Sequence, residues 1–134
     1  MNAVDTNVLI YAHDPRDLRK QAIAVALIES LTDAALLWQV ACEYISASRK
    51  LLPFGYSRDQ AWLDIRELRL VWAAELPNWD VMDRAKDVFN RYGLSYWDSM
   101  VVAACLETGV ARLYSEDFSG QANLDGLEIV NPFV

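Results

Sequence analysis

The chain opens MNAVDTNVLIYAHD, residues 1–14, and the fold turns on how Asp5 is read within it. Ala3-Val4 on one side and Val8-Leu9-Ile10-Tyr11 on the other are apolar, so the stretch reads as buried. An ionised aspartate is almost never fully buried without a partner. Asp5 therefore either ends a strand at an open edge or has chemical work to do.

The whole chain sets the frame for that choice. Its 134 residues make one domain by length, spanning 1–134, and a chain of this size buries enough surface for a core without staples. The apolar fraction of 54% and charged fraction of 23% suit a globular protein. A net charge of −7 argues against broad attraction to nucleic acid or anionic lipid. It leaves nucleic acid open as a substrate, because bound divalent cations reverse the local sign of an acidic cluster. Cys42 and Cys105 are the only cysteines; both lie in apolar helical contexts and read as buried free thiols, which suits a reducing cytoplasm. No apolar run approaches the ~18 residues of a membrane span, and Asp5 does not fit a signal peptide.

Working outward from Asp5, Met1–Val4 reads as a first strand and Val8–Tyr11 as more strand or a first helical turn. Asp14-Pro15 reads as a helix start, with a helix over 15–31. Leu36–Trp38 reads as a buried strand and Val40–Leu52 as a helix ended by Pro53 and Gly55. Ser57-Arg58-Asp59-Gln60 has a capping-box pattern, opening a helix with Ala61, Ile65, Leu68 and Trp72 on one face. A short strand falls within 70–76. Asn78 starts a helix striped by Val81, Ala85, Val88 and Tyr92 and closed by Gly93. Ser95 caps a largely apolar helix over 96–108, which should be buried. Ala111–Tyr114 and Leu127–Val130 are the last strands. Alternating strands and helices predict an α/β sandwich around a short, mainly parallel sheet, with ligands at the carboxyl ends of its strands.

That rule gathers the acids. Asp5 and Asp117 directly follow strands. Glu43 lies in the first turn of the helix after Leu36–Trp38, and Asp98 in the first turn of the helix capped by Ser95. Taken singly, Asp98 completes a capping box, Glu43 is a solvated acid and Asp117 a turn residue. Taken together they would repel unless a cation compensates. An all-carboxylate set suits Mg²⁺ or Mn²⁺ rather than zinc, and the single histidine, His13, reads as a surface loop residue. Such metals favour phosphodiester hydrolysis. Thr6, Asn7 and Ser115 are either loop polars or supports that orient the carboxylates.

Val4-Asp5-Thr6-Asn7-Val8-Leu9-Ile10-Tyr11, then Glu43, then Leu94-Ser95-Tyr96-Trp97-Asp98-Ser99, then Leu113-Tyr114-Ser115-Glu116-Asp117-Phe118 resemble, in order, the PIN-domain ribonucleases, most of all the VapC-type toxins of bacterial toxin–antitoxin pairs. The resemblance implies a flap-endonuclease-like three-layer α/β/α sandwich. It implies Mg²⁺- or Mn²⁺-dependent endonucleolytic cleavage of RNA by Asp5, Glu43, Asp98 and Asp117, with Asn7 and Ser115 as polar supports. Glu116 is an extra acid beside the fourth position; Asp117, two residues after Ser115, is the better match. The resemblance also implies a homodimer in the cytoplasm and a small antitoxin lying across the site. Helices 15–31 and 57–72 carry apolar faces beyond what a small sheet needs, and part of that surface is expected under a partner or a second copy.

Two other readings compete. A haloacid-dehalogenase-type phosphatase would want an acid two residues after Asp5, where this chain has Asn7, and a lysine between Arg91 and Asp117, which is absent. A PIN-fold RNA-processing protein, or one that binds RNA without cutting it, would leave the acids to caps and turns.

Overall fold

The computed structural model describes residues 1–118 and 120–134. Six strands form one sheet: β1 (Asn2–Val4), β2 (Ala34–Leu37), β3 (Ala73–Glu75), β4 (Arg112–Tyr114), β5 (Asn123–Leu124) and β6 (Leu127–Val130), in the order β3-β2-β1-β4-β6-β5. Every neighbouring pair is parallel except β5 with β6. Helices α1 (Thr6–Tyr11), α2 (Leu18–Ser30), α3 (Trp38–Ala47), α4 (Arg58–Val71), α5 (Trp79–Tyr92) and α6 (Tyr96–Glu107) flank it. This is the α/β/α arrangement expected. No helix among the described residues is long and apolar enough to cross a membrane.

The sheet order has one consequence for function. From β1 the chain steps to β2 and β3 on one side, then returns to β4 on the other side of β1. The crevice between the carboxyl ends of β1 and β4 is therefore the topological switch point, where loops leave in opposite directions and open a cleft.

The core follows the patterning. β2 is buried throughout, as a strand covered on both faces must be. Ala61 and Ile65 are buried on α4 and Trp72 just after its end, and Val81, Ala85 and Val88 on α5. On α6, Ser99, Val101, Val102, Ala103 and Cys105 are all buried, so this helix is enclosed on most sides. Val81 and Ala85 meet Ala103 in a small cluster between α5 and α6.

Several boundaries differ from expectation, each for a local reason. Residues 8–11 take the helical of their two expected forms, because Asp5 caps α1, its side chain accepting from the Thr6 amide. α2 starts at Leu18 rather than Pro15. Asp17 is its cap, accepting from the Lys20 amide, while Asp14 is consumed by the Arg16 amide and guanidinium at 2.8–3.0 Å. The second strand ends at Leu37, and Trp38 opens α3 half-exposed, so Glu43 sits in the second turn of its helix rather than the first. α3 tightens into a 3-10 segment over Ser48–Phe54 that stops at Gly55, whose φ of 86° suits a residue without Cβ. Ser57 caps α4 through the Gln60 amide, but the Gln60 side chain turns to Asp64 instead of closing the box. Cys105 is buried and its thiol pKa is raised by burial; Cys42 is exposed, contrary to expectation.

β5 adds a strand to those expected. Asp125 and Gly126 both have positive φ, 54° and 93°, between Leu124 and Leu127. An Asp-Gly pair between apolar residues is the signal for a two-residue hairpin, and it stands in the sequence.

His13 lies in the turn after α1, as expected, with its side chain partly exposed, but it is not a free surface residue. Its ring stacks on Tyr56 with centroids 4.4 Å apart, and Nε2 lies 3.2 Å from Asp64 Oδ2. Burial pushes its pKa down, partly offset by the Asp64 charge. Tyr56 donates to the same Asp64 oxygen at 2.5 Å and shares a hydrogen bond with Tyr44, so a polar chain runs between α3, α4 and the turn after α1.

Candidate active site

In the β1–β4 register, Val4 faces Tyr114. The next residue on each strand is therefore Asp5 and Ser115, side by side at the switch point. The Asp5 amide donates to Tyr114 O at 2.9 Å, and the Ser115 amide to Val130 O at 2.9 Å, so both are locked by the ladder. Asp5 is 5% exposed and Ser115 fully buried. The Ser115 hydroxyl donates to Asp5 Oδ2 at 2.8 Å, and the Thr6 amide to Oδ1 at 2.8 Å. Burial nevertheless wins: the Asp5 pKa is raised to about 6, with the Asp117 and Glu43 charges adding to the rise.

The other expected residues assemble around this pair. The Asn7 amide nitrogen donates to Ser115 Oγ and Asp117 Oδ2, each at 3.2 Å, and the Asp117 amide donates to Ser115 Oγ at 3.1 Å. Thr6 Oγ1 donates to Glu43 Oε2 at 3.0 Å. Asp98 is carried on the first turn of α6, its amide held by Ser95 Oγ at 3.1 Å. Its pKa is raised, first by burial and then by the charges of Asp117 and Glu43, with the Ser95 hydrogen bond opposing. Asp5, Glu43, Asp98 and Asp117 thus lie in one electrostatic neighbourhood.

Glu116 is engaged elsewhere. Its carboxylate accepts from Lys20 Nζ at 2.8 Å and from Tyr11 OH at 2.6 Å, and only its main-chain amide touches the site, donating to Asn7 Oδ1 at 3.4 Å. Sequence reasoning missed Gln39. Its Nε2 donates to Glu43 Oε1 at 2.7 Å and to Trp97 O at 3.0 Å, tying α3 to the start of α6. The signal was there: Gln39 and Glu43 are four apart on one helix face.

Among the described residues, no three His, Cys, Asp or Glu side chains come close enough together to hold one metal ion. The carboxylates instead turn to protein donors: Asp5 to Thr6 and Ser115, Glu43 to Thr6 and Gln39, Asp117 to Asn7. The donor chemistry still fits a hard divalent cation, since every candidate ligand is a carboxylate oxygen, and a cation would offset both the burial that chiefly lifts Asp5 and Asp98 and the smaller repulsion of their acidic neighbours.

The fold resembles a toxin–antitoxin complex chain from Klebsiella pneumoniae (TM-score 0.72, 17% identity, 98% of each chain covered). It also resembles VapC20 of Mycobacterium tuberculosis, described as a sarcin-ricin loop cleaving toxin (TM-score 0.68, 21% identity, 89% of this chain and 92% of that one). A third likeness is FitAcB of Neisseria gonorrhoeae (TM-score 0.65, 17% identity, 99% of each chain). No curated protein sequence matches the chain significantly. The model of the PIN domain family matches residues 3–127, from β1 through the first residue of β6. This chain belongs to the PIN domain family.

Proposed function

We propose that the protein is a Mg²⁺- or Mn²⁺-dependent endoribonuclease, the toxin of a toxin–antitoxin pair. The observation that carries this is the convergence of Asp5, Glu43, Asp98 and Asp117 at the switch point of a PIN fold, with the pKa of Asp5 and Asp98 lifted by burial and by their neighbours. Asp5, Asp98 and Asp117 would hold the metal, and Glu43 would ligate it or position the attacking water. A bound divalent ion supplies charge stabilisation at the phosphoryl oxygens and a hydroxide at neutral pH. The chain's own residues do the rest. Ser115 and the Thr6 amide fix Asp5, Asn7 fixes Asp117, and Gln39 and the Thr6 hydroxyl fix Glu43.

Toxin–antitoxin chains among the structural likenesses support an antitoxin partner. A cleft of about 440 Å³ between α2 and α4, lined by Leu9, Val25, Ile28, Leu68 and Val71 and edged by Glu29, Asp64 and Glu67, supports an amphipathic antitoxin segment there. Exposed Leu76, Trp79 and Met82 at β3 and α5 support a homodimer, in a reducing cytoplasm where Cys42 stays a free thiol.

Purified protein should cleave RNA with Mg²⁺ or Mn²⁺, and Asp5→Asn should lower the rate by at least about a hundredfold, the size of effect that losing one such electrostatic group has. Equal cleavage by the two proteins would sink the assignment. The absence of a ready three-acid cluster among the described residues favours a second reading, RNA binding without cleavage. A melting temperature indifferent to either metal would favour that reading.

A further inference from the structure

A cleft of about 310 Å³ opens beside the candidate active site, lined by Thr6, Glu43, Ser46, Ala47, Arg49 and Lys50. We propose that this cleft is a phosphate subsite, in which Arg49 and Lys50 hold an RNA backbone phosphate that flanks the one to be cleaved. The inference rests on the nuclease reading above and adds where the substrate chain runs.

Three observations carry it. The first is continuity. Thr6 and Glu43 belong to both places, joined by the 3.0 Å hydrogen bond from Thr6 Oγ1, so the cleft begins at the acids themselves. The second is spacing. Glu43, Ser46, Ala47 and Lys50 stand at i, i+3, i+4 and i+7 along α3 and the 3-10 segment that continues it, and so share one face. At about 1.5 Å per residue to Ala47 and about 2.0 Å per residue through the 3-10 segment, Lys50 is displaced roughly 12 Å along the axis from Glu43. That is too far for a direct ion pair and suited to a neighbouring phosphate of the same strand.

The third is charge. Arg16, Lys20, Arg84, Arg91 and Arg112 are engaged in ion pairs, and Arg19 donates to the Phe133 carbonyl. Arg49 and Lys50 are exposed and make no hydrogen bond or ion pair among the described residues. Arg58, Arg66 and Arg69 on α4 and Lys86 on α5, which also form no ion pair among the described residues, do not line this cleft. In a chain of net charge −7, free cations against the acidic site are what lets a polyanion approach it. An acidic peptide offers the same charge to Arg49 and Lys50 but brings carboxylates against Glu43. A phosphodiester chain instead presents one phosphate to the cations and the next to the acids, where a divalent ion reverses the sign.

The test uses a short labelled single-stranded RNA and the full chain in Mg²⁺, with Asp5→Asn as the non-cleaving parent. Adding Arg49→Ala and Lys50→Ala should weaken binding about tenfold. It should flatten the slope of log affinity against log salt by about 0.7 for each phosphate no longer neutralised. In the cleaving background the same pair should raise KM with little change in kcat. The charge-preserving pair Arg49→Lys and Lys50→Arg should restore binding, which a structural defect would not.

Unchanged affinity and salt slope in the alanine pair overturn the subsite, as does a parent that binds no RNA. Tighter capture of poly-glutamate than of RNA, lost in the alanine pair, also overturns it in favour of an acidic peptide. If wild type cleaves no RNA with either metal yet the alanine pair loses affinity and slope as described, the nuclease reading fails while the phosphate subsite stands.

Discussion

Ser115 donates its hydroxyl to Asp5 across 2.8 Å, and through this bond the carboxyl ends of β1 and β4 become one site. Both partners are buried, so the bond fixes the orientation of Asp5 and partly offsets the rise in pKa that burial causes. Ser115→Ala should therefore destabilise the fold by about 1–3 kcal/mol, the usual cost of leaving a buried acceptor short of a donor. It should also raise the Asp5 pKa further, since this hydrogen bond lowers it. Urea unfolding at fixed pH checks the first effect. A wild-type midpoint in the variant would count against it.

Asp5 makes stability depend on pH in an unusual direction for an acid. Its folded pKa of about 6 lies above the unfolded value of 3.8, so the folded state holds the proton more tightly. Its contribution is fully present below pH 3.8 and is lost as pH rises through about 6. The shift of roughly 2 units corresponds to up to about 3 kcal/mol. Without metal, Asp5→Asn should be the more stable protein at pH 7 and should lose this slope. Mg²⁺ or Mn²⁺ should raise the melting temperature of wild type at pH 7 and affect Asp5→Asn less. Parallel stability–pH curves for the two proteins would refute the assignment.

Glu116 and Asp117 are adjacent acids with separable effects. Lys20 and Tyr11 hold Glu116, whereas Asn7 holds Asp117 beside Ser115. Asp117→Asn should abolish cleavage and weaken the metal response. Glu116→Gln should keep the metal response and lower stability modestly, because it breaks the Lys20 ion pair. RNA cleavage and metal-dependent melting, measured on both variants, distinguish them; reversed results would move the site acid to Glu116.

Tyr56 links α4 to α3 through Asp64 and Tyr44. Tyr56→Phe removes a donor to a partly buried carboxylate while keeping the ring on His13. A loss of about 1–3 kcal/mol in chemical denaturation is expected, with kcat for RNA unchanged. An activity loss without destabilisation would mean this polar chain reaches the active site.

The α/β class was legible because helix stripes such as Val81, Ala85, Val88 and Tyr92 repeat every three to four residues, and because Ser57, Asn78 and Ser95 are residues that cap helices. The misread start of α2 came from competition between acids of one type, Asp14 and Asp17. Only the partner available in space, Arg16 for Asp14, decided which became the cap. The polar chain at His13 was not legible, because Tyr44, Tyr56 and Asp64 sit on separate elements.

By itself, the sequence determined that strands and helices alternate, where most helices begin, and that Asp5 and Asp117 follow strand ends. These are local matters of periodicity and capping, settled within a few residues. The tertiary structure alone decided that Asp5 meets Ser115, that Asn7 reaches Asp117, and that Glu116 turns to Lys20. The pairings at the sheet edge span up to 110 residues, and they exist because the sheet reverses its order between β1 and β4.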